Sequence, residues 1–243
     1  MVLRLKLLRK TYSHIVSPVV DLCSHTSIHR TDEKTDRSVY LFPQDKIKKM
    51  VVKILSAHDR LLDVASRLFY AEGIHAIGVD RVIAEAGVAK ATLYAHFASK
   101  DELVAAYLAR RSLAWTTAVS ERVDRFRMKP SSSSTPMVIA AFDLLADRAA
   151  SPGYRGCPFI NAAAEFPHQG PVAEQVAAHR QRVRETFSEL IGETNRDPGL
   201  LAMIVSLYDG AMAAAYLDHD ATVVGHARRG ALELLHRHGG SQP

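Results

Sequence analysis

The sequence predicts an all-α protein, and three observations carry that prediction. From Lys53 onward apolar residues recur at the three- and four-residue spacing of helices, while Val, Ile and Thr nowhere line up in the alternating runs that strands require. The periodic stretches are divided by short helix-stopping segments: Gly73, Gly87, KPSSSSTP at 129–136, SPGYRG at 151–156, FPHQGP at 166–171 and NRDPG at 195–199. Ser99 with Glu102 three residues later is a capping box, in which a hydroxyl and a carboxylate satisfy the orphan amides of a helix start.

In chain order, residues 1–52 show no sustained period, contain the turn-favouring SHTSIHRTDEKTD, and are expected to form a poorly ordered extension. The folded body is expected to divide into residues 53–100 and a second helical domain over 101–238. A first helix from about Ser56 to Glu72 carries Leu61, Ala65, Leu68 and Phe69 on one side and ends at Gly73, read as a left-handed cap. Asp80 to Ala86 makes a second, short helix that Gly87 halts. Val88 to about Phe97 forms a third. A long fourth helix starts at Lys100 and continues through Leu108 and Trp115 to roughly Phe126, and about five more helices follow.

The third of these helices mixes two kinds of residue. In AGVAKATLYAHFASKDEL, Ala86 to Leu103, the apolar Val88, Leu93 and Phe97 share a face at helical spacing and can pack against Val82, Ile83, Leu68 and Phe69. The other face then presents Lys90, Ala91, Thr92, Tyr94, Ala95 and His96 outward. Two short helices joined by a glycine turn, with a third behind them, form a helix-turn-helix, whose second helix is built to enter the major groove of DNA.

Arg60 to Leu103 resembles the DNA-binding domain of the TetR family of bacterial transcriptional regulators. The resemblance is carried by RLLDVASRLFYAEG, VDRVIAEAGV, KATLYAHF and SKDEL together. By position it implies that Tyr94 and Lys100 grip phosphates and that His96 donates to a neighbouring phosphate. Lys90 and Thr92 would face base edges, since Lys donates to guanine O6 and N7 and Thr suits either groove pattern; Ala91 and Ala95 leave room for close approach or a thymine methyl. Two departures stand out: Gly78 and Ala89 occupy positions where the family usually has Ser or Thr, so both short helices lack a capping hydroxyl, a loss of about 0.5 to 2 kcal/mol at the alanine. The resemblance further implies double-stranded operator DNA as partner, repression relieved by a small-molecule effector, no cofactor, and a homodimer through the last two long helices.

Two features of the C-terminal half bear on those implications. Leu200, Leu201, Ile204, Tyr208, Ala211, Met212 and Ala215, then Val224, Ala227, Ala231, Leu234 and Leu235, make two apolar stripes, and the small residues from Gly210 to Ala215 suit close helix approach. Trp115, Phe142, Tyr154, Phe159, Phe166 and Tyr208 are the candidate effector-pocket residues, and few charges interrupt CPFINAAAEF. That composition suits a small apolar or aromatic effector.

The net charge of +5 does not itself argue for DNA. Residues 1–50 hold ten basic and five acidic side chains, so the excess lies there and the rest is neutral; residues 56–105 hold five basic against seven acidic. Two cysteines, Cys23 and Cys157, are too few for a disulfide framework or zinc site and fit a reducing cytoplasm. Cys157 sits at an expected helix N-terminus, where a thiol's pKa can fall. The twelve histidines show no metal-ligand spacing and read as surface or tail residues. No apolar run looks close to the roughly 20 residues a membrane span needs, and no membrane partner is expected. Nucleophile-elbow, zinc-protease, phosphate-loop and dinucleotide motifs are all missing, so catalysis has no sequence support. The alternative left open is an all-α ligand carrier or enzyme whose N-terminal helices are only structural.

Overall fold

The computed structural model describes residues 56–128, 137–192 and 197–239. The expected N-terminal extension over 1–52, and the KPSSSSTP break, lie outside the described residues. The described residues fall in one compact unit. They form nine helices and no strand: α1 (Ala57–Glu72), α2 (Val79–Ala86), α3 (Lys90–His96), α4 (Lys100–Arg127), α5 (Ile139–Ala149), α6 (Pro158–Glu165), α7 (Pro171–Ile191), α8 (Pro198–Leu217) and α9 (Val223–Gly239).

Local chemistry sets the boundaries. Ser56 caps α1 by accepting from the Asp59 amide at 3.1 Å, and Ser99 caps α4 by accepting from the Glu102 amide at 3.1 Å. Asp197 does the same for α8, taking the Gly199 amide at 2.8 Å. Neither Gly78 nor Ala89 supplies a side-chain cap. Gly87 ends α2 in the left-handed region, φ 63° and ψ 43°. Gly73, expected to do likewise, instead takes φ 96° and ψ 151°, a conformation open to glycine, which turns the chain out of α1 after its amide has bonded Phe69 O.

Two buried clusters organise the helices. The first joins α1, α2, α3 and the start of α4 through Leu61, Leu68, Phe69, Val82, Leu93, Phe97, Leu103 and Tyr107, and extends to Phe159 and Ala162 of α6. The second joins the rest of α4 to α5, α7, α8 and α9 around Trp115, Phe142, Phe187, Ile204 and Tyr208. α4 contributes to both, so it ties the three N-terminal helices to the C-terminal bundle.

α8 corrects one expectation. It is 20 residues long with a mean hydropathy of 1.6, so an apolar run of spanning length does exist; by length and composition alone it could cross a membrane. Its alanines and glycine, interrupted only by Asp209, conceal that length from a count of large apolar residues. Leu200, Ile204, Tyr208, Ala211 and Ala215 bury one face against the neighbouring helices, as a core helix does. The opposite face carries exposed or half-exposed Met203, Ser206, Leu207, Gly210, Ala213, Ala214 and Leu217.

Candidate functional site

The outward face of α3 is built by default, because the helix has one strongly apolar edge. Leu93 is fully buried and Phe97 nearly so, and both enter the cluster with Val82 and Leu61. Lys90, Ala91, Tyr94, Ala95 and His96 are left exposed, with Thr92 half-buried. Tyr94 stands 46% exposed, a large cost in uncovered ring surface for a residue with no partner to cover it. Lys90 lies 3.0 Å from Asp80 Oδ1, which raises its pKa and gives it a carboxylate to exchange for an outside acceptor. The His96 ring meets His58 edge-on at 5.7 Å, and His58 stacks on Phe97 at 5.0 Å, so the start of α1 lies beside the end of α3. Lys100 is half-buried at the start of α4; burial lowers its pKa, partly offset by the charges of Glu165 and Asp101.

Arginines fasten this unit. Arg110 of α4 donates to Leu62 O at 3.1 Å and Ser66 Oγ at 2.7 Å and pairs with Asp63, while Arg60 Nε reaches Ala86 O at 3.3 Å. Arg81 makes a fork with both Glu72 oxygens at 2.6 and 2.7 Å. These last charges are exposed and worth little individually.

The second feature is a cavity of about 390 Å³, partly open to solvent, between the C-terminal helices, the loop 151–156 and Tyr70 of α1. Trp115, Tyr154, Phe159 and Tyr208 line it. Phe142 and Phe166, the other two residues expected there, stand elsewhere. Phe142 is fully buried behind Tyr208, with ring centroids 5.5 Å apart, and Phe166 stacks on His75 at 5.0 Å and borders a smaller apolar hollow. Trp115 Nε1 donates to the Tyr208 hydroxyl at 3.0 Å, and Tyr154 donates to Met212 O at 3.0 Å. Burial pushes the Tyr208 pKa up to about 12, so the phenol stays protonated.

His179, read from sequence as a surface residue, is buried on this wall. It stacks on Phe159 at 3.5 Å between centroids, and its Nδ1 is 2.9 Å from Ser112 Oγ, which accepts from Arg182 at 2.8 Å. Ser112 Oγ can accept from Arg182 and donate its own proton to Nδ1, an arrangement that suits a neutral imidazole. Burial, reinforced by Arg182 and Arg180, depresses its pKa to about 4. The unfolded chain, with pKa near 6.5, therefore binds a proton between pH 6.5 and 4 that the folded chain refuses, and stability falls as pH drops through that window. Going from pH 7 to 5 should cost about 2 kcal/mol, and His179→Gln should remove that part of the slope, read as the difference in urea midpoints between the two proteins at each pH. Cys157 also lines the cavity. Although it is the N-cap of α6, burial raises its pKa by more than the Phe159 and Ile160 amides lower it, so the thiol stays protonated.

α6 connects the cavity to the N-terminal helices. Its N-terminal residues Pro158, Phe159, Ile160 and Ala163 form cavity wall. Its last residue, Glu165, accepts from the amides of Ile74 at 3.2 Å and His75 at 2.6 Å, just past the end of α1. The loop before α6 holds the same end: Tyr70 donates to Gly156 O at 3.2 Å and accepts from the Arg155 amide at 2.9 Å, and Arg155 caps Ala71 O at 2.7 Å.

A helix-turn-helix unit with a solvent-facing second helix, joined through α4 to a helical bundle that holds a cavity, is the architecture of a bacterial helix-turn-helix regulator. Residues 61–107 match the family model of bacterial regulatory proteins, tetR family, and residues 136–231 match the tetracyclin repressor-like C-terminal domain. The chain belongs to the TetR family. It is similar to a TetR-family transcriptional regulator from Streptomyces coelicolor, at 38% identity with a TM-score of 0.67, covering 75% of this chain and 96% of that one. It is also 33% identical over 148 residues to the HTH-type transcriptional activator FasR of Mycolicibacterium smegmatis, spanning 59% of this chain and 61% of the relative. An uncharacterized HTH-type transcriptional regulator of Mycobacterium tuberculosis matches at 41% over 56 residues, 23% of this chain and 28% of the relative. The chain thus spans less than two thirds of these curated relatives.

Proposed function

We propose that this protein is a cytoplasmic, homodimeric regulator that binds operator DNA in sequence-specific fashion as a repressor and is released by a small apolar or aromatic effector held in the cavity. One observation carries the reading: α6, whose first turns wall the cavity, is bonded through Glu165 and its preceding loop to the end of α1. A ligand that displaces α6 must therefore strain or shift the unit that carries α3, alongside the more direct route through α4. Activation is a second reading, favoured by the FasR relative, and differs only in where the operator lies relative to the promoter.

Linkage gives the test. If a ligand prefers an arrangement with the wrong spacing between recognition helices, operator DNA must weaken ligand binding by the same factor that ligand weakens DNA binding. Trp115 touches the cavity through its bond to Tyr208, so its fluorescence reports the ligand directly. With operator fragments selected from genomic DNA, effector affinity is expected to fall about 5- to 150-fold at saturating operator. Effector affinity that ignores operator would sink the ligand-released reading while leaving DNA binding intact.

On the DNA side, Lys90 and Thr92 read bases while Tyr94, His96 and Lys100 hold phosphates, with Ala91 and Ala95 allowing close approach. Lys90→Ala should change base preference at a cost of about 1 to 3 kcal/mol on the preferred site, and Lys100→Ala should weaken all sites nearly alike. Binding titrations against the selected site and its single-base variants check this; equal, sequence-blind losses from both substitutions contradict the division.

A further inference from the structure

The cavity wall is aromatic, but its charge does not balance. Arg111, Arg148, Arg180 and Asp209 line it, and no Glu or Lys does. Arg180 and Asp209 pair with each other at 2.8 Å. Neither Arg111 nor Arg148 has a carboxylate partner among the described residues, which leaves two guanidiniums in excess. The Arg111 guanidinium carbon lies 4.5 Å from the Tyr70 ring centroid and 5.7 Å from that of Tyr107, and its Nε is buried with no acceptor. Arg122 also has a buried Nε without an acceptor, but its charge is met by Asp147.

Arg148 has open surface, yet protein surrounds it closely enough that desolvation lowers its pKa. Both hold for a group on the wall of a cavity large enough to admit solvent. Arg111 adds to the effect by repulsion. A guanidinium so placed, open to solvent on one side and crowded by protein on the other, gains from a counter-charge that enters the cavity. Tyr208 adds a neutral donor: its oxygen accepts from Trp115, and its own proton has no acceptor among the described residues.

We propose that this cavity takes an amphipathic anion, with an aromatic or aliphatic body among Trp115, Tyr154, Phe159 and Tyr208 and a carboxylate or similar oxyanion held by Arg148 and Arg111. The proposal rests on the reading of the cavity as the effector site and names the chemical class of the effector. Guanidinium suits the task because its planar fork gives parallel bonds to two oxygens of one anion and stays charged where an ammonium would lose its proton. The bland explanation of Arg111, a cation stacked on Tyr70, leaves Arg148 unexplained.

Two dyes that share one ring system provide the test. 8-Anilinonaphthalene-1-sulfonate is anionic, N-phenyl-1-naphthylamine is neutral, and both can be excited by energy transfer from Trp115, the chain's one tryptophan, with loss of that signal in Tyr154→Trp assigning it to the cavity. The sulfonate is expected to bind about tenfold or more tightly than the amine. Arg148→Met should remove about that factor from the sulfonate and leave the amine within about twofold, with Arg148→Lys intermediate. Decanoate should displace the sulfonate at concentrations where decanol does not. Equal affinities for both dyes, each sensitised by Trp115, overturn the anion proposal and leave the effector site standing. Equal losses of both dyes in Arg148→Met also overturn it, by assigning that residue to shape. Trp115-sensitised emission from neither dye overturns both the proposal and the effector-site reading.

Discussion

Replacing Leu93 with alanine is expected to cost about 2 to 5 kcal/mol of stability and to remove operator binding at concentrations that saturate the unaltered protein. α3 has seven residues, well below the roughly 12 to 15 at which an isolated helix is even marginal in water, and Ala89 gives it no side-chain cap. Its existence therefore depends on packing, and within the helix Leu93 is the one buried residue. That side chain meets a fully closed cluster with Leu61, Leu68 and Val82, so its removal leaves a cavity that closely packed neighbours fill poorly. Lys90 and Tyr94, one turn and one residue away, lose their bearing with it. Thermal unfolding should show a midpoint lower by roughly 5 to 15 °C. An unchanged midpoint, or normal operator affinity, would mean that something other than this contact holds α3 in place.

The parts of the molecule that sequence made legible are those governed by local chemistry. Gly87 and Ser99 each fix a helix end through groups within a few residues, and Leu93 with Phe97 against Lys90 with Tyr94 sorts the two faces of α3 by polarity alone. The cavity was less legible because a wall has a front and a back that composition does not distinguish: Phe142 and Tyr208 are both buried aromatics, but only Tyr208 faces the void. Arg111 and Arg148 pass in sequence for ordinary surface charges. The structure brings them to one cavity wall, beside the loop 151–156 that is tied to Tyr70 of α1. His179 did leave a signal. It occupies the stripe Val172, Val176, His179, Val183, Phe187 of α7, and Ser112 likewise interrupts the run Leu108, Trp115, Val119, Val123 of α4. Two polar residues on facing apolar stripes imply each other as partners, and they are found 2.9 Å apart.

Gly210→Arg is expected to leave the chain folded, convert the protein to monomers, and lower operator affinity about a hundredfold to ten-thousandfold. Folding is spared because a side-chain carbon added at Gly210 meets nothing within 4 Å in the single chain. The exposed stripe of α8 runs Met203, Ser206 and Leu207, Gly210, Ala213 and Ala214, Leu217, alternating three- and four-residue steps as the seam of a paired helix does. Leu217 is 72% and Met203 41% exposed along it, an uncovered apolar row that a second copy would bury. α9 adds His226, Arg229, Glu233 and His236, exposed at helical spacing, as a polar margin to that row. In a twofold interface each residue faces the same region of its copy, so one substitution places two like-charged guanidiniums in a small-residue contact. Operator affinity falls with the dimer because two half-sites bound by linked recognition helices gain an effective concentration that separate chains forfeit. Light scattering at micromolar concentration gives the mass, and fragment binding gives the affinity. A dimeric Gly210→Arg protein with unaltered operator binding would move the interface away from α8, and a monomeric one with unaltered binding would show that each chain reads its half-site alone.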